Sequence, residues 1–231
     1  MADGAFDENG GAEIQYCAVM ELCVKLEINY LTKLYNGKTV LDQFSVQFPS
    51  SGTVCLFGPS GCGKTTLLNC IAGLEPLDSG EILDTDALKI SYLFQEDRLL
   101  PWISARDNIA VVLKGSARHN AEQAAHWLRL VGLAGEGNRR PVELSGGMRR
   151  RVAIARALAF GGDLFLMDEP FQALDAECKE EMIALLEEKT ADALKIIVTH
   201  DFQEAKMLAD VIYVLDGPPV KIVDTIIKKH A

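Results

Sequence analysis

Hydrophobic positions along the chain change their period several times, and each change marks an element. "LCVKLEINYL" (22–31) alternates apolar and polar residues and predicts a strand; "TVLDQFSVQF" (39–48) predicts a second, ending at a Pro-Ser-Ser-Gly turn. "TVCLFG" (53–58) is a short apolar run leading straight into glycines, and "KTTLLNCIAGL" (64–74) reads as the helix that follows. A further apolar stretch spans Ile90–Phe94. From Pro101 to Leu144 the period turns helical, in "ARDNIAVVLKG" (105–115) and "AEQAAHWLRLVGL" (121–133), with Gly and Asn breaks between. Then come a helix over 147–160, a buried strand "LFLMD" (164–168), a helix "AECKEEMIALLEEKT" (176–190) and a buried strand "KIIVTH" (195–200). "DFQEAKMLA" (201–209) predicts one more helix, and "VIYVLDG" (211–217) with "VKIVDTI" (220–226) a closing strand pair. Apolar strands alternating with helices imply an α/β fold with a mainly parallel sheet and crossover connections. No internal repeat or low-complexity tract interrupts this order.

Composition narrows the class. With 231 residues, 48% of them hydrophobic, the chain can build a sizeable core, as one large domain or as a domain with an inserted subdomain. Residues 1–20 are acidic and glycine-rich (Asp3, Asp7, Glu8, Gly10, Gly11), the opposite of a signal peptide, and are expected to form a disordered extension. No apolar run reaches the roughly 18 residues a membrane span needs. A formal charge of −10 argues against a nucleic-acid partner, which would call for a basic surface. The six cysteines (Cys17, Cys23, Cys55, Cys62, Cys70, Cys178) contain no C-x-x-C pair and read as reduced thiols, several of them buried, in a cytosolic protein.

Candidate chemistry begins at "GPSGCGKT" (58–65), which fits the phosphate-loop pattern G-x-x-x-x-G-K-S/T between a strand and a helix. Chance would supply such a match in roughly one chain in a hundred of this length. Its glycines let backbone N–H groups turn inward around phosphate oxygens, Lys64 supplies a point charge, and the Thr65 hydroxyl suits Mg²⁺. "LFLMDEP" (164–170) ends a buried strand in two acids, placing Asp168 and Glu169 at the ligand edge of a parallel sheet. Asp168 would hold Mg²⁺, and Glu169 beside it would polarise a water. His200 ends the next buried strand and can reach a γ-phosphate from the same edge, although a lone histidine there is more often structural. Gln95 follows the apolar run at Ile90–Phe94 and can ligate Mg²⁺ without adding charge. His119, His126 and His230 have no such company and read as surface residues. Cys62 sits inside the loop, and its alkylation is expected to block ATP binding.

Taken in order, these motifs resemble the nucleotide-binding domain of the ATP-binding cassette (ABC) superfamily over roughly Leu22 to Ile227. "GPSGCGKTT" is similar to its phosphate loop, "FQ" to the Q-loop, "LSGGM" (144–148) to the signature, "LFLMDEP" to the magnesium strand, "ALD" (173–175) to the D-loop and "TH" to the switch histidine. The resemblance implies a P-loop NTPase fold with a small antiparallel β subdomain and an inserted helical subdomain at 97–149, within an ATPase domain spanning 21–231. It implies that Gly58, Ser60, Gly61, Gly63, Lys64, Thr65 and Thr66 bind phosphates, that Tyr35 stacks on adenine, and that Thr65, Gln95 and Asp168 form the Mg²⁺ site. Glu169 is then the catalytic base, with His200, Gln95 and Lys64 around the γ-phosphate. Ser145, Gly146, Gly147 and Asp175 would meet the ATP held by a second copy in a head-to-tail homodimer.

"RLLPWISARDNIA" (98–110), "GGMRRRVAIARAL" and "DEPFQALDA" resemble the nitrate/sulfonate/taurine import branch. That implies an ATPase subunit at the cytoplasmic face of the membrane, powering a separate permease and, through it, a substrate-binding protein. Leu99, Leu100, Pro101 and Trp102 would dock the permease, or else cap a helix around a buried Trp. Arg149, Arg150 and Arg151 add positive charge to the signature helix, or merely form a solvated face. Gln172 departs from the family's usual Gly or Ser, and the segment between Gly80 and Phe94 is short and lacks the usual Gly-turn hairpin. Two alternatives stay open: a soluble ABC ATPase outside transport, and an importer of pyrimidine or thiamine-precursor solutes. A P-loop kinase or GTPase is disfavoured by the Ser-Gly-Gly signature.

Overall fold

The computed structural model of the chain describes residues 24–228 apart from 84 and 86. The acidic extension at 1–20, Cys17, Cys23 and His230 lie outside that range.

The chain opens on a hairpin, β1 (Val24–Tyr35) against β2 (Lys38–Pro49), closed by an Asn36-Gly37 turn with both residues at positive φ, the two-residue geometry that matches strand twist. Simple alternation does not carry through either strand. Leu26 and Ile28 face the core, then Leu31; across the pair the core side chains are Leu41, then Phe44, Val46 and Phe48. Bulges at Tyr30 (φ 52) and Gln43 (φ 48) absorb the extra residues. Hydroxyls satisfy the displaced N–H groups: Tyr30 donates to Ser45 Oγ at 2.9 Å and Gln43 to Thr32 Oγ1 at 3.2 Å. A third strand, β4 (Ser79–Leu83), pairs with the other edge of β1. It falls in the stretch read from sequence as lacking a hairpin, and its mostly exposed residues carry no alternation to reveal it.

The second sheet has six strands in the order β5-β6-β7-β3-β8-β9: β3 (Gly52–Phe57), β5 (Ile90–Leu93), β6 (Leu164–Asp168), β7 (Leu194–Thr199), β8 (Val211–Asp216) and β9 (Lys221–Ile227). All pairs are parallel except β8–β9, the closing pair expected at the C-terminal end. Alternate residues of these strands feed two cores. Val54, Leu56, Leu164, Leu166, Ile196 and Val198 pack toward α1 (Lys64–Ile71) and the antiparallel sheet. Cys55, Phe165, Met167 and Ile197 pack toward α4 (Gly146–Phe160), α5 (Ala176–Lys189) and α6 (Phe202–Leu208). Strands buried on both faces read as unbroken apolar runs, which is why periodicity found them.

Between β5 and β6 lie α2 (Ala105–Ala110) and α3 (Ala117–Leu130), both packed on α4. Helix α2 is shorter than the periodicity of 105–115 implies. Past Val111 the chain tightens into three-residue turns, Val112 N–H to Ile109 O and Leu113 N–H to Ala110 O, and Ser116 caps a new helix through His119 N–H. Apolar spacing continued across a break that capping imposes.

Candidate functional site

Strand β3 runs into the glycine loop, and Gly63, at φ 114, caps α1 with no side chain. A Cβ there would come within 2.6 Å of Val220 Cγ2 and 2.8 Å of Val40 Cγ1, so the backbone can pass only as glycine. With no capping side chain and no acid in the first turn, the N–H groups and positive end of α1 remain available to an anion. The buried Lys64 ammonium folds back over the loop, donating to Gly58 O at 2.8 Å and Pro59 O at 2.7 Å, with Cys62 Sγ at 3.7 Å. Cys62 itself is 0% exposed within the core. Alkylation there requires a reagent to reach a buried thiol.

Strand β6 delivers Asp168, 2% exposed, to the same edge, where it accepts the Thr65 hydroxyl at 2.6 Å. Burial pushes the Asp168 carboxyl above its ordinary range and Glu169 adds to this, while Thr65, Lys64 and Arg150 pull it back. Glu169 sits in the left-handed region (φ 46), an unusual backbone for a non-glycine residue that costs about 1–3 kcal/mol. Its N–H donates to Val198 O at 2.9 Å, and its Oε1 lies 2.8 Å from Nδ1 of the exposed His200. Ser60, Gly61, Gly63, Lys64, Thr65, Thr66, Gln95, Asp168 and Glu169 all line one cavity of about 260 Å³, together with Val40 and Val198. Gly58 lies beneath it through its contact to Lys64, and His200 joins through Glu169. Tyr35 is half-exposed; burial foremost, then Glu75, raises the phenol. Among the described residues no group of three or more His, Cys, Asp or Glu could hold a metal. Thr65, Asp168 and Gln95 nonetheless offer a few hard oxygen donors, the sparse set that suits a cation shared with phosphates.

The signature does not join this cavity within one chain. Ser145 caps α4 by accepting Met148 N–H at 3.2 Å, with Gly146 as the exposed first helical residue. Ser145, Gly147 and Asp175 line a separate cavity of about 400 Å³ with Arg151, Ala173 and Leu174. A Cβ on Gly147 would lie 3.2 Å from Ala173 O, so the signature turn and the Ala173–Asp175 turn pack backbone to backbone. Asp175 in turn caps α5 through Cys178 N–H at 2.9 Å. Gln172 is exposed, its N–H closes the turn onto Glu169 O at 3.2 Å, and it is not among the residues lining the phosphate cavity.

Sequence reasoning missed Val40 and Val198, which carry no polar signal, and it misjudged Arg150. The solvated-face reading of Arg149, Arg150 and Arg151 is corrected for Arg150, which is 2% exposed and bonded to five main-chain carbonyls as well as to Asp97.

A phosphate loop at a parallel strand edge, faced by a buried Asp and a partly buried Glu, defines a P-loop nucleotide-binding ATPase. The family model described as ABC transporter matches residues 41–172, which include the phosphate loop, Gln95, the signature and both acids. The taurine import ATP-binding protein TauB of Rhizobium johnstonii is 45% identical, the alignment covering 81% of this chain and 76% of that protein. The aliphatic sulfonates import ATP-binding protein SsuB 2 of Burkholderia cenocepacia is 40% identical over 87% of this chain and 77% of its own. Among solved structures, the dimeric post-hydrolysis state of the ATP-binding cassette MJ0796 bound to ADP and Pi superposes with a TM-score of 0.80 at 28% identity, covering 89% of this chain and 100% of that one. The chain belongs to the ABC transporter family, as an ATP-binding, ATP-hydrolysing cassette. Among the described residues no helix is long and apolar enough to cross a membrane.

Proposed function

We propose that this chain is the ATPase subunit of an importer for a taurine- or sulfonate-type solute, working at the cytoplasmic face of the membrane on a separate permease. The observation that carries it is the single cavity where the phosphate loop, the Thr65–Asp168 pair, Gln95 and Glu169 converge. The solute class is supported by relatives named for taurine and aliphatic sulfonate import.

In the proposed reaction a water attacks the γ-phosphorus in line, so the protein mainly positions groups and stabilises charge. Loop N–H groups and Lys64 receive the phosphate oxygens, Lys64 exchanging a loop carbonyl for one of them. Thr65, Asp168 and Gln95 would hold Mg²⁺, which when bound neutralises charge on the phosphoryl oxygens. Glu169 takes the water's proton, and His200, bonded to its Oε1, orients the carboxylate and meets the γ-phosphate. Tyr35 stacks on adenine, a role supported by the exposure of its ring.

Ser145, Gly146, Gly147 and Asp175 serve the ATP of a second copy. Helix α4 has no acid in its first turn and so favours an anion, yet its start lies outside the chain's own phosphate cavity. A two-fold head-to-tail dimer uses each half-site twice. The permease docks at Pro101 and Trp102, the latter 67% exposed. Asn108, fully buried, holds this loop in place by accepting Leu100 N–H at 2.8 Å and donating to Leu100 O and Ser104 O.

Mild-detergent extraction of the tagged chain should bring down a multi-span membrane protein. Adding the cognate binding protein loaded with taurine or an alkanesulfonate should raise that complex's ATP hydrolysis. Activity in assemblies free of membrane protein would instead indicate a soluble ABC ATPase, and stimulation only by a pyrimidine or thiamine precursor would reassign the solute.

A further inference from the structure

Pairing between β5 and β6 ends at Leu93 opposite Met167. The next residues on each strand are the ones that matter chemically: Phe94 and Gln95 on one side, Asp168 and Glu169 on the other. No ladder bond joins them there. The Arg150 side chain, reaching from α4, bonds to both segments beyond that last pair. Its Nη1 donates to Phe94 O at 2.7 Å and Gln95 O at 3.2 Å; its Nη2 donates to Asp168 O at 3.0 Å and Glu169 O at 2.7 Å. Nε takes Pro170 O at 2.7 Å, and Asp97 Oδ1 lies 3.4 Å from Nη1. One planar guanidinium thus gathers five carbonyl oxygens from two segments and extends the cohesion of the sheet beyond its last pair.

The far side of the Gln95 segment is also held. Phe94 is stacked between Tyr92 (ring centroids 4.0 Å apart) and the Arg98 guanidinium (3.8 Å from the ring centroid), and Tyr92 Oη donates to Asn69 of α1 at 2.9 Å. Arg156 takes the carbonyls of Asp97 and Arg98. What these contacts do not reach is the acid side of the cavity. Glu169 occupies a strained backbone state, which persists only where its surroundings over-determine it. Arg150 holds the carbonyls of the residues before and after it as well as its own. A lysine could not replace this, since its point charge lacks the planar fork that serves both segments at once.

We propose that Arg150 is a positioning residue for hydrolysis: its guanidinium locks the backbone bearing Gln95 to the backbone bearing Asp168 and Glu169, setting the register of these side chains around the γ-phosphate. This rests on the roles given above to Gln95 and Glu169.

The test uses the whole chain and compares steady-state ATP hydrolysis with equilibrium binding of a fluorescent ATP analogue. Arg150→Lys should lower kcat by about 10²-fold while the binding constant stays within about threefold. Arg150→Ala should regain turnover when guanidinium chloride is added at low millimolar concentration, and not when an equal concentration of methylammonium is added. Should Arg150→Ala fail to fold, Arg150→Gln serves as the second variant and should show the same loss of kcat with affinity kept. Wild-type kcat in Arg150→Lys, or parallel loss of kcat and affinity in the folded variants, would overturn the proposal. Absence of guanidinium rescue in a folded Arg150→Ala would do so too. Glu169→Gln measured alongside separates the two levels. Undiminished turnover there removes the base assignment, whereas an inactive Glu169→Gln beside a fully active Arg150→Lys removes only the positioning role.

Discussion

Lys64 and Glu169 enter the cavity by different physics, and their variants should fail differently. Lys64 contributes a charge-assisted contact of about 1.5–3 kcal/mol, so Lys64→Ala should weaken ATP binding by roughly 10- to 100-fold in a direct titration. Glu169→Gln keeps the shape and loses the proton acceptor. It should bind ATP as the wild type does while turnover falls by about 10²–10⁴-fold. Asp168 poses a third case. Its carboxyl is raised by burial, so the stability attached to it is complete below the ordinary carboxylate range and is lost as pH rises through the raised value. Asp168→Asn, whose amide oxygen can still accept the Thr65 hydroxyl, should raise the Tm of chelator-treated, nucleotide-free protein at neutral pH. The gain should vanish on acidification, and hydrolysis should be lost at every pH. An unchanged Tm at neutral pH would show that Thr65 and Lys64 already compensate the buried charge.

Among elements, α4 does two jobs at its two depths. Its first residue is a capped, glycine-bearing turn aimed outward, and its first full turn sends Arg150 into the core. Ser145→Arg places a long cation where the partner's nucleotide would close. ATP binding should persist, and ATP-driven dimerisation, read by size-exclusion with light scattering in the Glu169→Gln background, should disappear. A normal dimer in that variant would remove the head-to-tail arrangement. Helix α2 does structural work of another kind, since its Asn108 spends its amide on the preceding loop and so presents Trp102 outward. Trp102→Ala should leave the affinity of the free chain for ATP unchanged while weakening its association with the permease by about 2 kcal/mol. The readout is retention of the tagged chain on detergent-solubilised membranes.

For the whole molecule, the parallel sheet serves as a bench whose carboxyl edge collects Lys64, Asp168, Glu169 and His200 from three adjacent strands, β3, β6 and β7. Much of this was legible beforehand. A strand buried on both faces leaves an unbroken apolar run, and a phosphate loop must be contiguous for its N–H groups to converge, so both survive in one dimension. The β-bulges at Tyr30 and Gln43 were not legible, because a bulge cancels the alternation that marks a strand. Nor was β4, an edge strand without an apolar face. Arg150 looked like its neighbours at 149 and 151, since what distinguishes it is five carbonyls supplied by residues 55 or so positions earlier and 20 later.

The sequence by itself determined the class of the protein, its phosphate loop, its acid pair and the order of its motifs. In each of these the chemistry lies in neighbouring residues or in a repeating pattern of burial. Tertiary structure alone decided that Cys62 is sealed in the core and that one arginine of three is buried. Those outcomes depend on which distant backbone fills the space around a side chain, and local sequence carries no record of it.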